Sequence, residues 1–336
     1  MSAAFIPSPT TGDAAAAPAP DSGSCLADQA GDCVDADVAH SLRIGAVFII
    51  LACSTVGVCL PYVLGKFKWV GRETNIFLIL KAFGAGVILA TGLIHMFPDA
   101  SGNFENPCLG WPDYPWASLF ALVTIVVVLL LEHLVSIAYE KRMTKQLARP
   151  HSPEEGCANG ACVPELDEKM VAQEDARIRS FAIAQVLETG IALHSVLIGI
   201  ALGVSNSPCT IRPLLAAITF HQFFEGIALG SCLLQADFRS WAFALMAFLF
   251  AITTPIGVAI GIGIQSTYNA NSLANLVVSG VFDSVSTGIL IYMALVDLIA
   301  VDFTTKRFRN SLVLQVGSYL SLTAGCAVMA IIGIWA

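Results

Sequence analysis

The sequence predicts an all-α polytopic membrane protein with eight transmembrane helices and both termini on the extracytoplasmic side. Three observations predict it. Of the 336 residues, 56% are hydrophobic and only 12% are charged, with a mean hydropathy of +0.74; a soluble domain carries about twice that share of charge. Eight apolar segments lie near 44–64, 76–98, 116–139, 181–204, 212–234, 241–264, 275–299 and 311–335. Each has about 20 residues or more, which at about 1.5 Å per residue spans about 30 Å of hydrocarbon. Finally, 14 of the 17 Lys and Arg residues fall in the connections after the odd-numbered segments, and basic residues collect on the cytosolic side.

Taken in order, residues 1–42 read as a disordered, acidic, extracytoplasmic segment ahead of one eight-helix unit at 43–336. The first 24 residues have neither a basic start nor a continuous apolar stretch, so no secretory signal is expected there. They are rich in Ala, Pro and Ser. Six Asp and no Lys or Arg precede Arg43, the wrong sign for nucleic acid. Lys66, Lys68 and Arg72 follow segment one. Lys141, Arg142, Lys145, Arg149, Lys169, Arg177 and Arg179 follow segment three, Arg239 follows segment five, and Lys306, Arg307 and Arg309 follow segment seven. The polar stretch 140–178 reads as a flexible cytosolic loop. It holds His151 and a loosely spaced Cys157/Cys162 pair, read as idle thiols rather than a metal site.

Cys25, Cys33, Cys108 and Cys209 fall on the opposite, disulfide-permissive side. Cys25 with Cys33 and Cys108 with Cys209 is one of three pairings. Cys53, Cys59, Cys232 and Cys326 lie within segments and read as small apolar residues.

Charged and imidazole side chains inside a span cost about 2.5–3.5 kcal/mol at mid-bilayer and therefore mark function. Segment two ends on His95 and Asp99, with Pro98 expected to stop the helix. Segment three holds Glu132 and His133, the latter read as an interhelical contact. Segment four holds Glu188 and His194, segment five His221 and Glu225, and segment seven Asp283 and Asp297. The TTPIG run at 253–257 in segment six predicts a broken helix beside a path.

Two decapeptides share one frame. Residues 194–203 read HSVLIGIALG and residues 221–230 read HQFFEGIALG, with six of ten letters in common. His194 lies ten residues before the end of its segment and His221 nine after the start of the next, so each sits about 14–15 Å deep. The short link SNSPCTIRP makes the two helices antiparallel neighbours, and Gly199, Gly203, Gly226 and Gly230 are expected to bring them close. His221 and Glu225, four apart, share a face. Two imidazoles and a carboxylate suit Zn²⁺ or another borderline divalent ion, with Ser195 and Gln222 as further donors. Glu188 is six residues from His194 and about 9 Å deeper, on another face. His95 and Asp99 suit the outer approach of a cation, and Glu132 and Asp297 its release on the inner side. The same three ligands could instead activate a water in an intramembrane zinc-dependent hydrolase, but there is no His-Glu-x-x-His motif.

The paired frames resemble the signature of the ZIP (Zrt-, Irt-like protein) metal transporters. ATGLIHMFPDA, AITTPIGVAIG and YMALVDLIAVDF resemble that family as well, over about residues 40–336, and HQFFEG resembles its plant and fungal branch. The resemblance implies a carrier, not an enzyme, that imports Zn²⁺, Fe²⁺ or Mn²⁺ (Cd²⁺ would fit the same donors), with the ion as cargo and no prosthetic group. It implies an elevator in which spans one, four, five and six move against two, three, seven and eight, often as a homodimer in the lipid bilayer. It implies a transport site of His194, Ser195, His221, Gln222 and Glu225, with His95 and Asp99 on the approach and Glu132 and Asp297 towards release. The expected location is the plasma membrane, with a vacuolar or other internal membrane as the alternative. Some bacterial members have Glu at Ile198 and Asp at Gln222, so a single ion is expected here. The loop at 140–178 lacks the His-rich run often seen in the family.

Overall fold

A computed structural model describes residues 35–66, 74–147, 164–235 and 240–334. Cys25, Cys33, His151, Cys157 and Cys162 lie outside the described residues, as do residues 1–34 of the expected disordered segment. Among the described residues, eight helices long and apolar enough to cross a membrane run in chain order. They are α1 (Ala36–Leu64), α2 (Asn75–Glu105), α3 (Trp116–Leu147), α4 (Pro164–Val204), α5 (Pro208–Gln235), α6 (Ser240–Ile264), α7 (Leu273–Phe303) and α8 (Leu312–Ile332). Among the described residues there is no strand. Hydrocarbon offers backbone groups no partner, and a helix satisfies its own.

Polar caps set several of the starts. Asp35 accepts from the Val38 amide at 3.0 Å, Thr74 from Phe77 at 3.2 Å, Ser272 from Asn275 at 3.3 Å and Ser311 from Leu314 at 3.3 Å. The acidic N-terminal segment thus ends as a helix cap, and residues 36–42 are helical. Two further boundaries differ from the sequence reading. Helix α3 continues to Leu147 and α4 begins at Pro164, so part of the expected flexible stretch at 140–178 is helical. Pro at the first helical position and the Glu-, Lys- and Ala-rich run after it explain that start.

Pro98 does not end α2. The helix widens into a π-turn at Thr91–Met96 and resumes as α-helix from Phe97 to Glu105. Pro98 stands in the first turn of the resumed helix, where its missing N–H costs least. Helix α7 carries a second π-turn at Met293–Ala300. Both π-turns hold an ionisable residue, His95 in one and Asp297 in the other, in keeping with the association of such turns with functional sites. Helix α6 is continuous through Pro255 rather than broken.

Glycines decide which helices touch most closely. A Cβ on Gly199 or Gly203 would stand 2.5 or 2.4 Å from the carbonyl oxygens of Thr254 and Val258, so these two glycines press α4 against α6. Gly257 and Gly261 answer from the other side, against Val196 and Ile200. Gly226 and Gly230 meet the Val58 backbone, and Gly57 meets the Phe223 carbonyl, which presses α5 against α1. The expectation that the frame glycines bring α4 and α5 together is therefore wrong. Each frame has its glycines five and nine residues after its histidine, which at 100° per residue turns them well away from the imidazole. Helix α2 crosses α8 in the same way at Gly86 and Gly325, and α7 meets α3 at Gly288. His133 is exposed on α3 rather than held between helices. Cys108 and Cys209 are each disulfide-bonded, and Cys53, Cys59, Cys232 and Cys326 are free thiols.

Candidate metal centre

Four helices bring imidazole and carboxylate groups to one level. His194 lies ten residues before the end of α4, and Asp283 ten after the start of α7. Because α2 runs on to Glu105, His95 also lies ten residues inside its helix end rather than at the membrane edge. Ten residues correspond to about 15 Å of depth. The rings of His95, His194 and His221 form a triangle with centroid separations of 5.3, 5.5 and 5.7 Å. The two frame imidazoles are nearly parallel, at 15°, and His95 stands edge-on to both.

Each frame imidazole has a carboxylate beside it. Glu225 Oε2 is 3.7 Å from His221 Nε2, and Asp283 Oδ1 is 3.4 Å from His194 Nδ1. His194, His221 and Glu225 are each 1% exposed. Nε2 of His194, both ring nitrogens of His221 and both oxygens of Glu225 are buried with no hydrogen-bond partner. Leaving such groups unpaired costs about 1–3 kcal/mol each, so a concentration of them in one place points to a ligand. Ser195 and Gln222, both fully buried, link α4 to α5: Gln222 Nε2 donates to Ser195 Oγ at 3.4 Å.

The centre of a triangle of that size is about 3 Å from each ring centre, and an imidazole bound to zinc at about 2.0–2.1 Å holds its ring at a similar distance. The donor set therefore fits a borderline divalent ion by chemistry and spacing. It is not a closed shell: among the described residues, no three His, Cys, Asp or Glu side chains are already arranged to hold a metal ion. Such a site needs side-chain rotation to close on its cargo.

A cavity of about 850 Å³ leads to this level from the end of the bundle that carries the α6–α7 connection. Asn103, Asn106, Asn269, Asn271 and Asn275 line its mouth, and Asp99 and Asp283 line it as well. Asp99 Oδ2 is 3.9 Å from His95 Nδ1.

The remaining sequence-derived candidates lie apart from the rings. Glu188 is buried on α4, its Oε1 without a hydrogen-bond partner. Glu132 on α3 accepts a hydrogen bond from the Tyr292 hydroxyl on α7. Asp297 is buried in the second π-turn. At that end of α7, buried Lys81 and half-buried Asp302 form an ion pair of 2.9 Å.

The sequence reading noted Asp283 as an intramembrane acid but gave it no role. Counting from the start of its predicted segment at 275 puts it eight residues deep, near the level of the histidines, but does not pair it with His194. Pro98 reads as a helix end and so puts His95 at the rim; the continuation of α2 to Glu105 lowers it to the level of the other rings.

Comparison with known proteins gives the family. The profile of the family described as ZIP Zinc transporter matches residues 40–333. The protein named Zinc transporter 5 of Oryza sativa subsp. japonica is 41% identical, covering 93% of this chain and 91% of that protein. Zinc transporter 9 of the same plant is also 41% identical, over 90% and 91%. Fe(2+) transport protein 3, chloroplastic, of Arabidopsis thaliana is 35% identical, over 93% and 89%. These relatives are named as transporters rather than enzymes, and the hydrolase alternative finds no support among them. The chain is an integral membrane protein that belongs to the ZIP zinc transporter family.

Proposed function

We propose that this protein carries divalent transition metal ions into the cytosol, zinc foremost and iron(II) or manganese(II) besides, through the site formed by His194, Ser195, His221, Gln222 and Glu225. The cluster of buried, unpaired imidazole and carboxylate atoms at the foot of a polar cavity carries this reading. The names of the relatives, zinc transporters and Fe(2+) transport proteins, support the class of cargo. His95 belongs with the site as a third imidazole, and Asp99 lines the approach. Glu188, Glu132 and Asp297 lie on the inner half of the path. Import follows if the cavity faces outward, as the basic residues on the opposite connections imply.

An elevator movement of α1, α4, α5 and α6 against α2, α3, α7 and α8 is in keeping with the helix packing. Backbone-to-backbone glycine crossings occur within each set, α1 on α5 and α4 on α6 in one, α2 on α8 and α3 on α7 in the other. Between the sets, Gly190 on α4 meets only the Ile289 side chain, while Gly84 on α2 makes the one close approach to backbone, 3.0 Å from the Ala228 Cα, that such a movement would have to break. Tight backbone contacts move as a unit, whereas side-chain contacts slide. The plasma membrane and a homodimer are the setting proposed for import. Helix α3, with Leu122, Val126 and Leu130 exposed, offers an apolar face to lipid or to a second copy.

Zinc uptake in cells lacking their own importers tests this function. His194→Ala and Glu225→Ala are each expected to reduce uptake to background while the protein still reaches the membrane. Normal uptake by both variants would overturn the site.

A further inference from the structure

The α5 frame supplies its own carboxylate, because Glu225 stands one turn after His221. The α4 frame has Ile198 at the corresponding position. The carboxylate beside His194 comes instead from α7, where Asp283 Oδ1 lies 3.4 Å from Nδ1. We propose that Asp283 is the positioning residue for His194, accepting its Nδ1–H so that Nε2 faces the transported ion. This inference rests on the ring cluster being the transport site.

The chemistry follows from what each atom can do. An ionised carboxylate only accepts hydrogen bonds, so the nitrogen bonded to it carries the hydrogen. A neutral imidazole has a single N–H, and a metal takes the lone pair of the other nitrogen. For His194 that other nitrogen is Nε2, buried and without a hydrogen-bond partner. Metal-bound histidines usually donate their second nitrogen to a carboxylate, carbonyl or water in this manner, which fixes both tautomer and ring angle. Asp283 stands on the α-helical part of α7, ahead of the π-turn. Its neighbour Ser284 donates to the Gly280 carbonyl at 2.7 Å, and Phe104 packs against Gly280. Asp283 also lines the outer cavity, so an ion coming down that cavity meets a His194 already oriented to receive it.

Under the elevator division, His194 and Asp283 belong to different sets. Their bond is made when the site lies level with the outer cavity and is released when α4 moves past α7. Asp283 then orients His194 for capture and leaves it free for release.

The test uses the full-length protein in nanodiscs, with zinc affinity measured by competition against a chelator of known affinity. Asp283→Ala is expected to weaken binding by about 10–100-fold. Asp283→Asn keeps an accepting oxygen and should stay within about fivefold of wild type. In a His194→Ala background, Asp283→Ala should change affinity by no more than about twofold, since it acts through that ring. Equal weakening with and without His194, an Asn variant as impaired as the Ala variant, or an Ala variant that binds like wild type would each overturn the proposal. A readout that needs no Asp283 variant is the tautomer of His194 in ¹⁵N-histidine-labelled wild-type protein, assigned by the signal lost in His194→Ala. A hydrogen on Nδ1 is expected, and a hydrogen on Nε2 overturns it. Absence of zinc binding by the wild type is a separate result that removes the transport-site reading, and the tautomer measurement tells the two failures apart.

Discussion

The frames on α4 and α5 are alike on one face and different on another. In each, the two glycines press the helix against a single partner, α6 for α4 and α1 for α5, through backbone contacts that no side chain would fit. In each, the histidine points away from that partner into the shared ring cluster. The difference is the source of the carboxylate: α5 carries Glu225 in its own next turn, and α4 borrows Asp283 from α7. A repeat can thus keep its packing face unchanged while its chemical face is completed by a third helix. The His221 unit is self-contained, whereas the His194 unit depends on where α4 stands relative to α7.

The packing half of the likeness is the easier to break. Gly199→Val and Gly226→Val each force a Cβ to within 2.5 or 2.8 Å of backbone on the neighbouring helix. Overpacking of this kind costs about 1–3 kcal/mol. Both variants should lose thermal stability in detergent, by similar amounts and before any effect on the ion is considered. A loss confined to one of them would show that the two crossings are not equivalent.

The chemical half can be sharpened by transplanting the α5 arrangement. Ile198→Glu gives His194 a carboxylate in its own next turn. Placed in an Asp283→Ala background, it is expected to recover about tenfold in zinc uptake, equivalent to about 1.4 kcal/mol. No recovery would mean that a carboxylate one turn along α4 cannot substitute for one on α7. The smallest effect is expected at the contact between the frames themselves. Gln222 and Ser195 meet at 3.4 Å, and an ordinary hydrogen bond contributes about 0.5–1.5 kcal/mol. Gln222→Ala should therefore raise the KM for zinc only a few-fold, and a complete loss of uptake would give Gln222 a larger role than that bond.

Much of the molecule was legible in the residues. The eight spans follow from apolar length and from charge placement, both set by the cost of moving polar groups into hydrocarbon. The shared level of His194 and His221 was legible from counting to the predicted segment ends, since an α-helix has a fixed rise; α5 in fact starts earlier, at Pro208, and the 5.7 Å separation of the rings shows the common level. The resemblance of the two frames to a transporter signature pointed to the family that the wider comparison shows.

The rest depended on which helix faces which. Sharing a motif with the histidines suggests that the glycines make the α4–α5 contact, yet a five-residue offset turns them to another face, and only packing reveals the helix waiting there. Pro98 reads as a stop in an isolated helix; the π-turn before it lets α2 continue, which lowers His95 from the rim to the ring cluster. Asp283 lies 89 residues from His194 in sequence, and no spacing rule links them. Sequence by itself determined the spans and the donor types, because these depend on local hydrophobicity and on the cost of polar groups in hydrocarbon. The tertiary structure alone decided the pairings, because contact between distant helices depends on rotation and crossing, which are set by all of the packed neighbours together.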